Sequence, residues 1–145
     1  MSDKLKYPKP KKQSFAKLQQ TAQRLFNKYI VQSRGKRGCE LHTMAKKANV
    51  QLPVKCNQQY CCFHIIPVGR SGALRFDERN VLRACTSANF WEHNNRDLWM
   101  NDFAPKILDR GRWLYLTTFQ KMDVNRNSSM MQMMILEYTN KIKEK

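Results

Sequence analysis

Three histidines and five cysteines are the residues of this 145-residue chain best suited to chemistry. Cys39 and His42 form a Cys-x-x-His pair in "GCELHT", and Cys56, Cys61, Cys62 and Cys85 follow. An odd cysteine count, crowded in mid-chain, argues against a disulfide scaffold. Free buried thiols and metal ligands are the two readings the cysteines leave open. Asn89 and His93 stand at i and i+4 of a predicted helix, so they share one face. An oxygen and a nitrogen at that spacing can hold one cation. His64 lies inside the apolar stretch "CCFHIIPVG". A histidine there is as often a satisfied core residue as a reactive one. On a strand beside that helix it can activate a water near the cation.

The elements that must position these groups are partly legible. A helix starts at Ser14, a good N-cap, and puts Phe15, Leu18, Ala22, Leu25, Phe26, Tyr29 and Ile30 on one apolar face. It ends before Gly35. Residues 38–60 read as a loop and a short strand. "CCFHIIPVG" reads as a strand, followed by a turn, a second strand around Ala73 to Phe76, and a loop ending in Asn80. A helix is expected from Asn89 to Trp99, with Pro105 punctuating it. "RGRWLYLTTFQKM" fits a helix or a strand. A last helix is expected after a capping box at Ser129, with Met131, Met134, Ile135, Tyr138 and Ile142 as its apolar face.

Charge points to the partner. The net charge is +16, and residues 1–37 hold eleven Lys or Arg against one Asp. Such a surface suits a polyanion, most often nucleic acid. Lys9, Lys11, Lys12, Arg34, Lys36, Arg37, Arg70, Arg75 and Arg79 are the candidate phosphate contacts. Residues 1–13 read as a basic flexible arm and 14–145 as one domain. No long apolar run and no signal-peptide pattern is present, so the expectation is a soluble cytoplasmic protein without a membrane partner.

The segment "FHIIPVGRSGALRFDERNV", with the later "C…N…HNN", resembles the phage lambda NinG (Rap) recombination protein family of HNH-type endonucleases. The opening "LFNKYIVQSRGKRGC" also matches that family, and the likeness extends over nearly the whole chain. It implies an α+β fold: a small ββα-metal, treble-clef-like core at about 38–100, flanked by an N-terminal and a C-terminal helix. It implies phosphodiester hydrolysis on DNA, with branched DNA as the family's substrate and a bacterial cell carrying a phage or prophage as the setting. A homodimer would suit paired cuts in a junction. His64 would be the general base. Asn80 would fix the loop or orient that histidine. Asn89 and His93 would sit near a catalytic Mg²⁺ or Mn²⁺. The family also carries a structural zinc on two Cys-x-x-Cys pairs. Here the first pair is Cys39 and His42, and the second is reduced to Cys85 because Ala88 cannot ligate. Cys56, Cys61 or Cys62 would have to supply the fourth ligand. The alternative is a catalytically inactive DNA-binding protein that keeps the ββα frame.

Overall fold

The computed structural model describes residues 12–144; most of the basic arm, with Lys9 and Lys11, lies outside the described residues. The architecture is α+β, with one two-stranded antiparallel sheet set among helices. Helix α1, Phe15–Ser33, is capped by Ser14, whose hydroxyl accepts from the Lys17 amide. Its stripe of Leu18, Ala22, Phe26 and Ile30 is buried as the periodicity predicts. Gly38 then turns the chain at φ 59°, a left-handed conformation that suits glycine, and delivers Cys39.

Residues 48–59 form the loop expected, but the part before them does not. Glu40–Lys47 forms helix α2, with Leu41 and Ala45 buried. It is too short to stand alone, so tertiary packing rather than sequence periodicity decides it. Asn49 ends it at φ 56°, and the Val50 amide closes back on the Ala45 carbonyl at 2.9 Å.

The hairpin is the centre of the molecule. Strand β1, Tyr60–His64, pairs antiparallel with β2, Val81–Cys85. Tyr60 faces Cys85 at one end and His64 faces Val81 at the other. The second strand expected at Ala73 to Phe76 is instead a series of turns. "VLRAC" wins the pairing because four of its five side chains are buried, leaving only Arg83 part-exposed.

Helix α3, Thr86–Asn94, follows β2 directly and so begins three residues before the expected Asn89. It stops at Asn95 rather than running on to Trp99. A short turn α4, Arg96–Leu98, a π-helical stretch, Trp99–Phe103, and α5, Ala104–Ile107, continue the chain. Pro105 sits in the first turn of α5, where its missing N–H costs nothing, so it starts a helix instead of breaking one. The unsettled segment is a helix, α6, Arg110–Phe119, capped by Asp109. The last helix, α7, Ser128–Lys143, is capped by Asn127 rather than by a box at Ser129. Asn127 accepts from the Met130 amide at 2.9 Å, and Ser129 falls inside the first turn.

Two apolar bodies hold the sheet. On one side Phe63, Leu82 and Ala84 pack with Ala88, Trp99, Ile107 and Leu116. The Trp99 indole donates to the Ile65 carbonyl at 2.8 Å and meets Phe63 edge-on at 5.1 Å, so α3 and its extension run back along the hairpin. On the other side α1 and α7 close over Val81, with Phe26 edge-on to Tyr138 and to Phe76. Among the described residues no helix is long and apolar enough to cross a membrane.

Trp99 is the pin of the first body. Trp99→Phe keeps most of the ring packing but leaves the Ile65 carbonyl unpaired in the core. Chemical denaturation is expected to show a loss of about 1–3 kcal/mol.

Candidate functional site

Two groups of polar side chains occupy opposite ends of the hairpin. At the Tyr60/Cys85 end, ligand atoms of Cys39, His42, Cys56 and Cys85 all lie within 4.8 Å of one another. His42 Nδ1 is 3.1 Å from Cys39 Sγ and 3.6 Å from Cys85 Sγ. Its Nε2 is 2.9 Å from the Val54 carbonyl, and only a protonated Nε2 can donate there. The Nδ1 lone pair is thereby aimed at the two sulfurs, the arrangement by which an outer partner orients a metal-binding imidazole. The Cys85 amide donates to Cys39 Sγ at 3.3 Å.

Local folding explains the convergence. Cys39 and Cys85 are the N-cap residues of α2 and α3, where helix dipoles favour a thiolate. His42 is one turn into α2. Cys56 arrives on the 48–59 segment, which is tied down on the start of α3. Ser87 Oγ donates to the Lys55 carbonyl at 2.7 Å, Asn57 donates to Thr86 Oγ1 at 2.7 Å, and the Thr86 amide donates to the Gln59 carbonyl at 2.7 Å. Burial pushes the Cys39 thiol up to about 11. Cys85 also feels burial, but hydrogen bonds from Ser87 and the Ala88 backbone, together with Cys39 and Cys56, outweigh it and hold its thiol below the ordinary value.

The donor set fits a metal ion. Ligands held at ~2.0–2.3 Å around a tetrahedral centre are roughly 3.3–3.8 Å apart, so the four groups need only a small contraction. Of the three cysteines open for the fourth position, the fold brings Cys56 to the cluster. Cys61 and Cys62 are fixed in β1 opposite Ala84 and Arg83, and burial pushes their thiols up to about 11 and about 12. Ala88 is fully buried in the core. Ala88 therefore takes no part in the cluster, and the fourth ligand atom comes from the upstream 48–59 segment.

At the far end, His64 is half-buried and its Nε2 lies 3.1 Å from the Arg75 carbonyl. Burial, its largest influence, and the Arg75 charge together outweigh that hydrogen bond and lower its pKa below 6.5. Asn80 is fully buried. Its Oδ1 accepts from the Ile66 amide at 2.8 Å, and its Nδ2 donates to the carbonyls of Ile66 at 2.9 Å and Leu74 at 3.3 Å. Of the two roles expected for Asn80, loop fixation is the one its contacts perform. Asn89 and His93 are exposed on α3 and line a pocket with Asn57, Thr86, Ser87 and Phe90. His64 is not among the lining of that pocket. His93 Nδ1 is 3.1 Å from the Arg96 guanidinium.

The candidate phosphate contacts divide by exposure. Lys12, Lys36 and Arg37 are exposed. Arg34 is spent inside, on the carbonyls of Val81 at 2.7 Å and Glu78 at 3.1 Å and on Glu40. Arg70 pairs with Asp97 at 2.6 Å, and Arg79 pairs with Asp77 and lies over the Tyr115 ring at 3.6 Å. Arg75 donates to Gln23 at 2.7 Å. Arg112, which no sequence pattern singles out, joins Arg34 on the Val81 carbonyl at 3.2 Å and also holds the Arg79 carbonyl at 2.8 Å. No protein-family model, curated protein or solved structure matches this chain.

Single serine variants separate the cysteines. Protein purified without added metal is expected to carry about one equivalent of zinc. Cys56→Ser should lose it by elemental analysis, while Cys61→Ser and Cys62→Ser retain it.

Proposed function

We propose that this protein is a metal-dependent DNA endonuclease of the HNH type, built on a ββα-metal unit made of β1, β2 and α3. The observation that carries the proposal is the state of His64. Its Nε2 is committed to the Arg75 carbonyl, so that nitrogen bears the proton and Nδ1 keeps a free lone pair. Burial keeps the ring neutral at pH 7. A neutral imidazole fixed by one nitrogen and basic at the other is what a general base requires. The order hairpin, clamped loop and helix, with Asn80 and then Asn89 and His93 in sequence, supports the same reading, as does the likeness to the NinG family. The charge of +16 supports DNA as the substrate, with branched DNA as the implied form.

In this reading a structural zinc would be held by Cys39, His42, Cys56 and Cys85. The work at the far end belongs to the chain's own groups. His64 Nδ1 takes a proton from the attacking water. Asn80 keeps the loop carrying the Arg75 carbonyl in register with His64. Asn89 and His93, in the separate groove on α3 that His64 does not line, would offer one amide oxygen and one imidazole nitrogen to a hard divalent cation. When bound, Mg²⁺ or Mn²⁺ supplies charge neutralisation on the phosphate and the leaving oxygen. The resemblance adds a phage-bearing bacterium as the setting, the sequence's lack of a signal-peptide pattern supports cytoplasmic residence, and a homodimer would suit paired cuts.

A second reading has its own observation. The Arg96 guanidinium, 3.1 Å from His93 Nδ1, puts a positive charge where a cation ligand is needed. A DNA-binding protein that retains the frame without cleaving would tolerate that contact.

Cleavage assays on branched and linear DNA with Mg²⁺ or Mn²⁺ separate the two. His64→Ala is expected to slow cleavage by roughly 10²–10⁴. Because His64 must be neutral to act and its pKa is lowered, the rate should fall with acid only below about pH 6.5. Equal cleavage by both proteins, or none across metals, would sink the nuclease reading.

A further inference from the structure

Arg126 lies in the stretch leading into α7, outside the hairpin and α3. Its guanidinium stacks on the Phe76 ring at 5.0 Å from the centroid, and Arg75 approaches the same ring at 5.7 Å. Two guanidinium groups therefore share one aromatic side chain. Each is pinned by one arm alone. Arg126 Nη1 donates to the Gly72 carbonyl at 2.7 Å, and Arg75 Nε donates to Gln23 Oε1 at 2.7 Å. Among the described residues neither forms an ion pair with a carboxylate. Of the two acids that line the same groove, Asp77 holds Arg79 and the Tyr115 hydroxyl, and Glu78 forms no ion pair with either arginine. Burial and the neighbouring Arg75 charge lower the pKa of Arg126, and burial lowers that of Arg75. Two partly buried like charges side by side repel each other, and an anion seated between them would relieve that repulsion. Both keep donors unspent, in the planar fork that suits a phosphate.

We propose that Arg75 and Arg126 form a phosphate clamp that seats one backbone phosphate of the nucleic-acid substrate beside His64. The placement follows from Arg75 itself: its carbonyl holds the His64 ring, and its charge acts on both His64 and Arg126. This rests on the nucleic-acid reading above and adds to it a residue from outside the hairpin-helix unit. The apolar body of α1 and α7 then has a task beyond packing: Phe76, edge-on to Phe26 at 5.8 Å, fixes both guanidiniums.

The test is equilibrium binding of a labelled oligonucleotide in the presence of a chelator, so that cleavage plays no part. Arg126→Gln is expected to weaken binding roughly tenfold and to reduce the salt slope by about one. Arg126→Lys should restore the slope but only part of the affinity. Lys143→Gln, which removes one charge elsewhere, should change affinity less than about twofold. If Arg126→Gln melts early, Arg75→Gln and Arg126→Lys carry the comparison. Wild-type binding with an unchanged Arg126→Gln or Arg75→Gln slope overturns the clamp alone. No salt-dependent binding by the wild type overturns the clamp together with the nucleic-acid reading. Inorganic phosphate that raises the melting temperature as much as the oligonucleotide, at equal phosphate concentration, would assign the pair to a free anion and overturn it as well.

Discussion

The meeting of Cys39, His42, Cys56 and Cys85 is the constraint on which the rest depends. Each of the pieces it joins is weak alone. Helix α2 is two turns long, the 48–59 segment has no regular structure, and the hairpin has five residues a strand. An isolated hairpin or a helix of that length is marginal in water. Sulfur and imidazole atoms gathered at one point convert these pieces into a unit, because Cys39 and His42 bring α2, and Cys56 the 48–59 segment, to Cys85 at the junction of β2 and α3. A bound ion would make binding energy into folding energy, as in other small metal-held domains.

From that fixed end the hairpin projects His64 to the other. Over the four residues from Tyr60 to His64 a strand advances roughly 13 Å, so structural metal chemistry and proposed base chemistry do not compete for the same groups. What keeps the far end in order is polar rather than metallic. Asn80 makes three hydrogen bonds with the loop in a fully buried position, and the Trp99 indole ties the extension of α3 to Ile65. Arg34 and Arg112 converge on the Val81 carbonyl and tie α1 and α6 to the same corner. Several arginines of this basic chain are thus internal scaffolding, which leaves fewer of them free to touch a polyanion directly.

The long amphipathic helix α1 was legible because its periodicity and its Ser14 cap agree. The first strand was legible from its apolar run. The second was misplaced at Ala73 to Phe76, since "GALRF" has strand-like side chains but its backbone is claimed by turns and by the Leu74 bond to Asn80. Helix α2 was invisible, because eight residues with two buried apolar positions give no period to detect. At the metal cluster, Cys39, His42 and Cys85 could be grouped from the family's spacing. The choice of Cys56 over Cys61 and Cys62 could not, because it depends on how the 48–59 segment folds back on Thr86 and Ser87. Arg126 carried no sequence signal either, because Arg75, which shares the Phe76 ring with it, is far away in the chain.

The most direct measurement of the central claim is zinc-edge X-ray absorption on the protein as purified. The expected result is a shell of three sulfurs at about 2.3 Å and one nitrogen at about 2.0–2.1 Å. A shell of oxygen and nitrogen only, or protein that holds no zinc, would contradict it.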